Sequence, residues 1–107
     1  MNPFEIWRAK PEGFARAHYF VIISGQERCA NTQVQQYNGL ACFTLRGHPN
    51  KLDVVLNGAD GLDCPTACQC DFFYVLPKTS LIEIKGSVSL ERQIQIKERI
   101  RNIFRLH

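Results

Sequence analysis

The sequence predicts a small, mainly β domain that ends in one amphipathic helix. Short runs of β-branched and aromatic residues are separated by turn clusters rich in glycine, proline and asparagine. Near the C-terminus the apolar residues instead recur every three or four positions, which is the helical repeat. The 107 residues are 45% apolar, enough for one core and too few for two. We therefore predict a single domain over residues 1–107.

Two strands are predicted in the first quarter of the chain. Residues 4–9 alternate between two sets of side chains, as in a strand whose two faces differ, and Pro11 and Gly13 end this run. Residues 18–24 are aromatic or β-branched without polar alternation, which predicts a central strand that is covered on both sides. Gly25 ends this second strand.

The middle of the chain predicts a loop and then two paired strands. Residues 26–38 are polar and lack periodicity, so we expect a long loop with room for a helical turn. A loop of this length in a small domain is a candidate for function. Residues 40–45 and 52–56 have the composition of strands, and the turn cluster at 46–50 between them predicts a hairpin.

The last third predicts two more strands and the helix. Residues 66–76 form a strand-like run and residues 81–85 a short late strand that ends at Gly86. Ser87 or Ser89 can cap the final helix, because a short hydroxyl accepts hydrogen bonds from the free amides of the first turn. The apolar residues of this helix form one stripe that should pack on the sheet: Leu90, Ile94, Ile96, Ile100, Ile103 and Phe104.

The cysteines are expected to be reduced. Their number, five, is odd, and they lie in or beside apolar strand-like runs rather than at the spacings of a disulfide scaffold. Cys64, Cys68 and Cys70 lie within seven residues, but this spacing does not fit paired zinc knuckles and no histidine is near them in sequence. We therefore predict no metal site, and buried apolar packing for these thiols.

The net charge of +3 is mild and concentrated near the C-terminus, where residues 90–107 hold five basic and two acidic side chains. A basic helix favours nucleic acid or an acidic protein partner, although a solvated helix face accounts for the same charges. No apolar run approaches the ~20 residues of a membrane span, and the N-terminal region lacks the pattern of an export signal. We therefore expect a cytoplasmic protein.

Polar side chains at the predicted strand ends are the candidate functional residues. No glycine-rich phosphate loop, nucleophile elbow or paired-histidine zinc motif is present, so we expect no cofactor. An imidazole can move protons near neutral pH, and a guanidinium can hold a phosphate, so this set suits attack on a phosphodiester without a metal. Each is equally compatible with an ordinary strand-end position. The set is Arg16, His18, Thr44, Arg46, His48, Gln69 and Asp71.

Taken in order, several segments resemble the MazF/PemK family of toxin–antitoxin ribonucleases. Residues 4–7 are similar to the opening strand of that family, and residues 18–24 to its second strand. Residues 42–44 and 52–56 match the next apolar strands, and Cys70-Asp71 matches a Cys-Asp or Ala-Asp pair. Gly86-Ser87-Val88-Ser89, followed by an amphipathic helix, resembles the end of the family's chain.

The resemblance implies a small SH3-like antiparallel β-barrel of the CcdB/PemK type, closed by the C-terminal helix, that forms a homodimer. It also implies a sequence-selective endoribonuclease that cleaves single-stranded RNA through the 2′-hydroxyl without a metal, and a cognate antitoxin protein that blocks it. Residues 26–38 are the candidate loop over the RNA groove. Carried over, the catalytic residues are His18, Arg16, Thr44 and Asp71, and the RNA-binding residues are Arg46, His48, Gln69 and Arg28.

Two positions depart from the family pattern and leave alternatives open. His18 stands where the family has the arginine that handles the phosphate, and Gln69 stands where some members have another arginine. One reading gives His18 the acid–base role and Arg16 or Arg46 the phosphate. The alternatives are a catalytically inactive member, a gyrase-poisoning protein of the same fold, and a non-enzymatic interaction module. The gyrase-poisoning branch relies on an aromatic-bearing C-terminus, whereas this chain ends Ile103-Phe104-Arg105-Leu106-His107.

Overall fold

The computed structural model describes residues 1–105, in which six strands form one antiparallel sheet followed by a helix. The expectation of a mainly β chain with a C-terminal helix is confirmed. Residues 106–107, the end of the basic C-terminal segment, lie outside the described part. The strands are β1 (Glu5–Ala9), β2 (His18–Ile22), β3 (Gln36–Thr44), β4 (Asp53–Leu56), β5 (Thr66–Pro77) and β6 (Leu81–Ser87), and the α-helices are α1 (Gln26–Ala30) and α2 (Leu90–Phe104).

The sheet has the strand order β4-β5-β3-β2-β1-β6, and its two edges are β4 and β6. These edges do not pair in residues 1–105, so closure into a barrel is not confirmed. The segments that follow the two edge strands meet at one corner. There the 3₁₀ turn Gly58–Asp60, which follows β4, contacts Gly86 near the end of β6, and Ser89 donates its backbone N–H to Asp60 Oδ1 at 2.7 Å.

At this corner, we expect one added methyl group to have a large effect on the free energy of unfolding. A Cβ at Gly86 would overlap the backbone oxygen of Asp60 and lie 3.1 Å from the Cα of Gly61, and backbone atoms cannot move aside as a side chain can. We expect Gly86→Ala to lower the free energy of unfolding by about 3 kcal/mol, as overpacking does. Urea denaturation measures this value.

The matched control is Gly58→Ala in the same corner, where a Cβ meets no atom within 4 Å. We expect this control to change the free energy of unfolding by less than about 0.5 kcal/mol. Equal unfolding midpoints for the two variants would show that the corner is looser than the structure has it.

The predicted hairpin between residues 40–45 and 52–56 is wrong. β3 and β4 do not pair with each other, because β5 lies between them and Cys68 is the partner of Cys42 on one side and of Val54 on the other. Alternation of side chains predicts which face a residue takes, but it does not predict which strand lies alongside. With 12 residues, β5 is long enough to pair along both of its edges.

Both faces of the sheet are covered at β2, which confirms the expectation for the second strand. Phe20, Val21 and Ile22 of β2 are all fully buried. Val21 belongs to the core cluster that α2 covers through Ile96, whereas Phe20 and Ile22 belong to a cluster on the other side that includes Cys29 of α1. The sheet is therefore a central layer between α2 and the segments around α1.

Helix α2 begins after Ser89, one of the two predicted caps, although the Ser89 side chain makes no capping hydrogen bond. The predicted apolar stripe is only partly packed: Ile96 is fully buried, whereas Leu90 is 71% exposed. The polar segment 26–38 does contain the expected helical turn, as α1, but its last three residues already belong to β3.

Candidate active site

A cleft of about 740 Å³ opens where β2 begins and β3 ends. The two strands are antiparallel neighbours, with Tyr19 opposite Cys42, so the first residues of β2 meet the last residues of β3. This pairing brings Arg16 and His18 to the same cleft as Thr44. The lining also includes Arg8 of β1, Arg46 in the turn after β3, Asp63 and Cys64 in the segment before β5, and Thr66 at the start of β5.

The cleft is positively charged. Three arginines line it, Arg16 and Arg46 exposed and Arg8 half-buried. The two ion pairs within residues 1–105 are Lys85–Asp63 and Arg92–Glu91, so in this part of the chain no carboxylate neutralises a cleft arginine.

Asp63 is the one carboxylate that lines the cleft within residues 1–105. Lys85 Nζ donates a hydrogen bond to Asp63 Oδ2 at 3.0 Å, and this bond raises the pKa of Lys85, so that its ammonium stays protonated to higher pH. The Asp63 carboxylate therefore already has a cationic partner outside the arginine group. The uncompensated charge that faces the cleft is that of the guanidinium groups.

His18 is held by aromatic rings. Its ring centroid lies 5.4 Å from that of Phe14, edge-on, and 5.0 Å from that of Phe43. Contacts of this kind orient an aromatic ring without using its polar atoms. The half-buried imidazole thus lines the cleft with its ring oriented by two aromatic neighbours.

The structure brings together four of the eight predicted site residues: Arg16, His18 and Thr44 from the catalytic set, and Arg46 from the RNA-binding set. The other four do not line the cleft. Arg28 lies on α1 and donates to the backbone oxygen of Gln36 at 3.3 Å. His48 is exposed in the turn between β3 and β4.

Asp71 and Gln69 lie outside the cleft, in a part of β5 that bulges. Leu40 pairs with Phe73 and Cys42 pairs with Cys68, so residues 69–72 of β5 stand opposite a single residue of β3. Such a bulge changes the direction in which the intervening side chains point. Gln69 is instead the partner of Asp53 on β4, and Asp71 is exposed.

Sequence reasoning missed Arg8 and the residues 62–66 of the cleft. Arg8 lies in a recognised strand, but its place beside Arg16 follows from the pairing of β1 with β2, where it is the partner of Tyr19. Cys64 is exposed, and its backbone oxygen accepts a hydrogen bond from the hydroxyl of Thr66 at 2.9 Å. The alternation in residues 4–9 places Arg8 on one face of its strand. The sequence carries no comparable signal that would assign the residues between 62 and 66 to the cleft.

The segment 26–38 lines a different cavity. Cys29, Asn31, Thr32 and Tyr37 border a space of about 360 Å³ together with Trp7, Lys78, Met1 and Leu81. This segment does not contribute to the cleft that holds His18.

Four thiols are buried and Cys64 is exposed, and all five are free. A hydrogen bond with Cys42 and burial raise the pKa of Cys68 well above its ordinary value, and a hydrogen bond with Cys68 and burial raise that of Cys70. Burial also raises the pKa of Cys29. Within residues 1–105 no three metal-ligating side chains are arranged to hold a metal ion.

We expect one thiol per folded chain to react rapidly with iodoacetamide near neutral pH. That thiol is Cys64, because the thiolate is the reactive form and the other cysteines are buried. Mass spectrometry of briefly alkylated protein checks this, with Cys64→Ser as the variant that should lose the rapid reaction. Rapid modification of two or more cysteines would contradict the packing of the core.

Comparison with solved structures identifies the fold. The toxin MazF-mt6 of Mycobacterium tuberculosis superposes with a TM-score of 0.80 at 20% identity, over 96% of this chain and 98% of that one. The chain has the MazF fold. A mycobacterial endoribonuclease in complex with its cognate antitoxin gives a TM-score of 0.81 at 17% identity, over 100% of this chain and 95% of that one.

A third structure of the MazF fold is that of MazE–MazF from Deinococcus radiodurans, with a TM-score of 0.75 at 11% identity, over 97% of this chain and 94% of that one. No protein-family model and no curated protein matches the sequence. Within residues 1–105, neither helix of this MazF fold has the length and apolar character that crossing a membrane requires.

Proposed function

We propose that this protein is the toxin of a toxin–antitoxin system and cleaves single-stranded RNA through the 2′-hydroxyl, without a metal ion. The observation that carries the proposal is the cleft in which His18 lies with Arg8, Arg16 and Arg46. Two proteins of the same fold are named as a toxin and as an endoribonuclease with its cognate antitoxin, which supports this activity.

The arginines bind the scissile phosphate in this proposal. A guanidinium offers a fork of N–H donors that matches two phosphate oxygens, and it stays charged at any physiological pH. Negative charge increases on the phosphoryl oxygens as the bond to the attacking oxygen forms. Positively charged donors that are already in place stabilise that transition state more than the ground state.

His18 is the proposed base. It accepts the proton of the 2′-hydroxyl, the 2′-oxygen attacks the adjacent phosphorus, and the bond from phosphorus to the 5′-oxygen breaks. The leaving 5′-oxygen takes up a proton, for which the protonated imidazole is the donor. The products are a 2′,3′-cyclic phosphate on one fragment and a 5′-hydroxyl on the other.

The remaining predicted residues have supporting roles in the proposal. The Thr44 hydroxyl, exposed at the end of β3, donates a hydrogen bond to the phosphate in the cleft. Asp71 and Gln69 on the bulge of β5, with His48 and Arg28, contact nucleotides on either side of the scissile bond. Contacts of this kind to unstacked bases are how proteins select single-stranded RNA sequences.

We further propose that the protein acts in the cytoplasm as a homodimer and that a cognate antitoxin blocks it. The net charge of +3, together with the arginines of the cleft, favours an acidic inhibitory segment. Proteins of the same fold have been solved with an antitoxin and with MazE.

The proposed activity is tested by incubating the purified protein with a long RNA in the presence of EDTA. We expect discrete fragments, growth arrest on expression, and no cleavage of DNA of the same sequence. Intact RNA together with normal growth would contradict the proposal. A gyrase supercoiling assay run in parallel would identify a protein-targeting toxin of the same fold, which should inhibit gyrase and leave RNA intact.

A further inference from the structure

A row of aromatic side chains starts at the cleft and crosses the sheet face that lies opposite α2. Successive ring centroids lie 5.4 Å apart from His18 to Phe14, 5.4 Å from Phe14 to Tyr74, and 6.5 Å from Tyr74 to Phe72. We call these four residues the aromatic row. The proposed chemistry uses only its first member.

The two ends of the row differ in geometry and exposure. The inner pairs are edge-on, with interplanar angles of 64° and 69°, as in packed cores. The outer pair, Phe72 and Tyr74, is stacked at 25°, and Phe72 is 51% exposed. The outer end of the row thus presents a flat apolar surface to solvent, held in place by the buried Phe20 beneath Tyr74.

The strand that carries this surface also carries hydrogen-bonding groups next to it. Asp71 directly precedes Phe72 and Gln69 stands three residues before it in the bulge of β5, where Asp71 is exposed and Gln69 half-buried. An exposed ring beside an amide and a carboxylate has the parts that single-stranded RNA recognition uses, which are stacking on a base face and hydrogen bonds to a base edge.

We propose that Phe72 and Tyr74 form a stacking platform for a base of the single-stranded RNA whose scissile phosphate lies in the cleft. This inference rests on the proposed function. The row connects the platform to the cleft through contacting rings, so one strand of RNA can place a phosphate among the arginines and an unstacked base on Phe72. Stacking tolerates any base, so the platform supplies affinity, and the neighbouring Gln69 and Asp71 supply selectivity.

The test is RNA binding by Phe72 variants. The probe is a pool of fluorescein-labelled 2′-O-methyl RNA 12-mers of random sequence, which lack the attacking hydroxyl and so are bound but not cut. We expect Phe72→Ala and Phe72→Leu to weaken binding about tenfold, and Phe72→Trp to keep it within about threefold, because stacking needs a flat π-face. Fluorescence anisotropy gives these affinities.

The chain supplies a matched control in the adjacent residue. Phe73 is 38% exposed but points to the opposite face of the sheet, where it stacks on Phe104 of α2 with ring centroids 5.4 Å apart. We expect Phe73→Ala to leave RNA affinity within about twofold of the wild type, because base stacking is lost only when the platform itself is removed.

Three results would overturn the inference. The first is unchanged RNA affinity in Phe72→Ala and Phe72→Leu, and the second is an equal loss in Phe73→Ala. The third is a shift of Phe72→Ala from dimer to monomer in sedimentation, which would show that a second copy of the chain covers the ring.

The experiment separates failure of the platform from failure of the proposed function. A wild-type protein that neither binds nor cleaves RNA would refute the proposed function. A wild-type protein that cleaves RNA, with Phe72 variants that bind RNA as tightly as it does, would refute the platform alone.

Discussion

Replacement of His18 by glutamine is expected to slow RNA cleavage by about 10²–10⁴-fold, the range that a general acid–base contributes. Glutamine keeps a polar group at the start of β2 but cannot accept and return a proton. The ring contacts to Phe14 and Phe43 orient His18 and are not needed for phosphate binding, so RNA affinity should change little. Single-turnover cleavage of a labelled RNA measures the rate.

The control for this variant is His48→Gln, since His48 is exposed and lies outside the cleft. Because the proposal places His48 on flanking nucleotides only, we expect His48→Gln to cleave saturating RNA at the rate of the wild type, and any effect to fall on KM. Thermal melting of both variants checks that the fold is intact. If His18→Gln cleaves RNA at the rate of the wild type, His18 is not the base. No other histidine of residues 1–105 lines the cleft to accept the proton in its place.

Replacement of Arg16 by alanine is expected to reduce cleavage by about 10²–10³-fold, the usual effect of removing one donor to a developing oxyanion. Arg16 is exposed at the cleft and has no carboxylate partner within residues 1–105, so the loss acts on RNA and not on an internal ion pair. Arg16→Lys should cleave at a rate between those of the wild type and Arg16→Ala, because an ammonium keeps the charge but not the fork of donors.

Arg28→Ala is the control for Arg16, since Arg28 is an equally exposed arginine that lies on α1, outside the cleft. If Arg28 contacts only nucleotides that flank the scissile bond, Arg28→Ala raises KM and leaves kcat unchanged, whereas Arg16→Ala lowers kcat. A larger fall in kcat for Arg28→Ala than for Arg16→Ala would place the reaction elsewhere on the surface.

Features of the fold that depend on local pattern were predictable from the sequence. The unbroken apolar run of residues 18–24 predicts burial on both sides, and Phe20, Val21 and Ile22 are indeed fully buried. A short hydroxyl before a helical apolar repeat predicts that the final helix starts at Ser87 or Ser89, and the helix begins after Ser89. Arg16, His18 and Thr44 could be grouped in advance because the family resemblance assigns residues at the matching strand ends to one site.

Features that depend on which strands meet were not predictable. The partner of β4 is β5 and not β3, and nothing in the alternation of residues 52–56 distinguishes the two. Asp71 lies in the bulge at residues 69–72 and outside the cleft, and this bulge is a shift in register that only the paired strands reveal. Arg8 joins the cleft for the same reason, through its position opposite Tyr19.

The central claim is that this cleft breaks RNA by attack of the 2′-hydroxyl next to the scissile phosphate. The most direct measurement compares two RNA oligonucleotides that contain the mapped cleavage site, one of them with a single 2′-deoxynucleotide on the 5′ side of the bond. We expect the all-RNA strand to give a 2′,3′-cyclic phosphate and a 5′-hydroxyl in the presence of EDTA, and the substituted strand to stay intact at that bond. Equal cleavage of both strands would contradict the account.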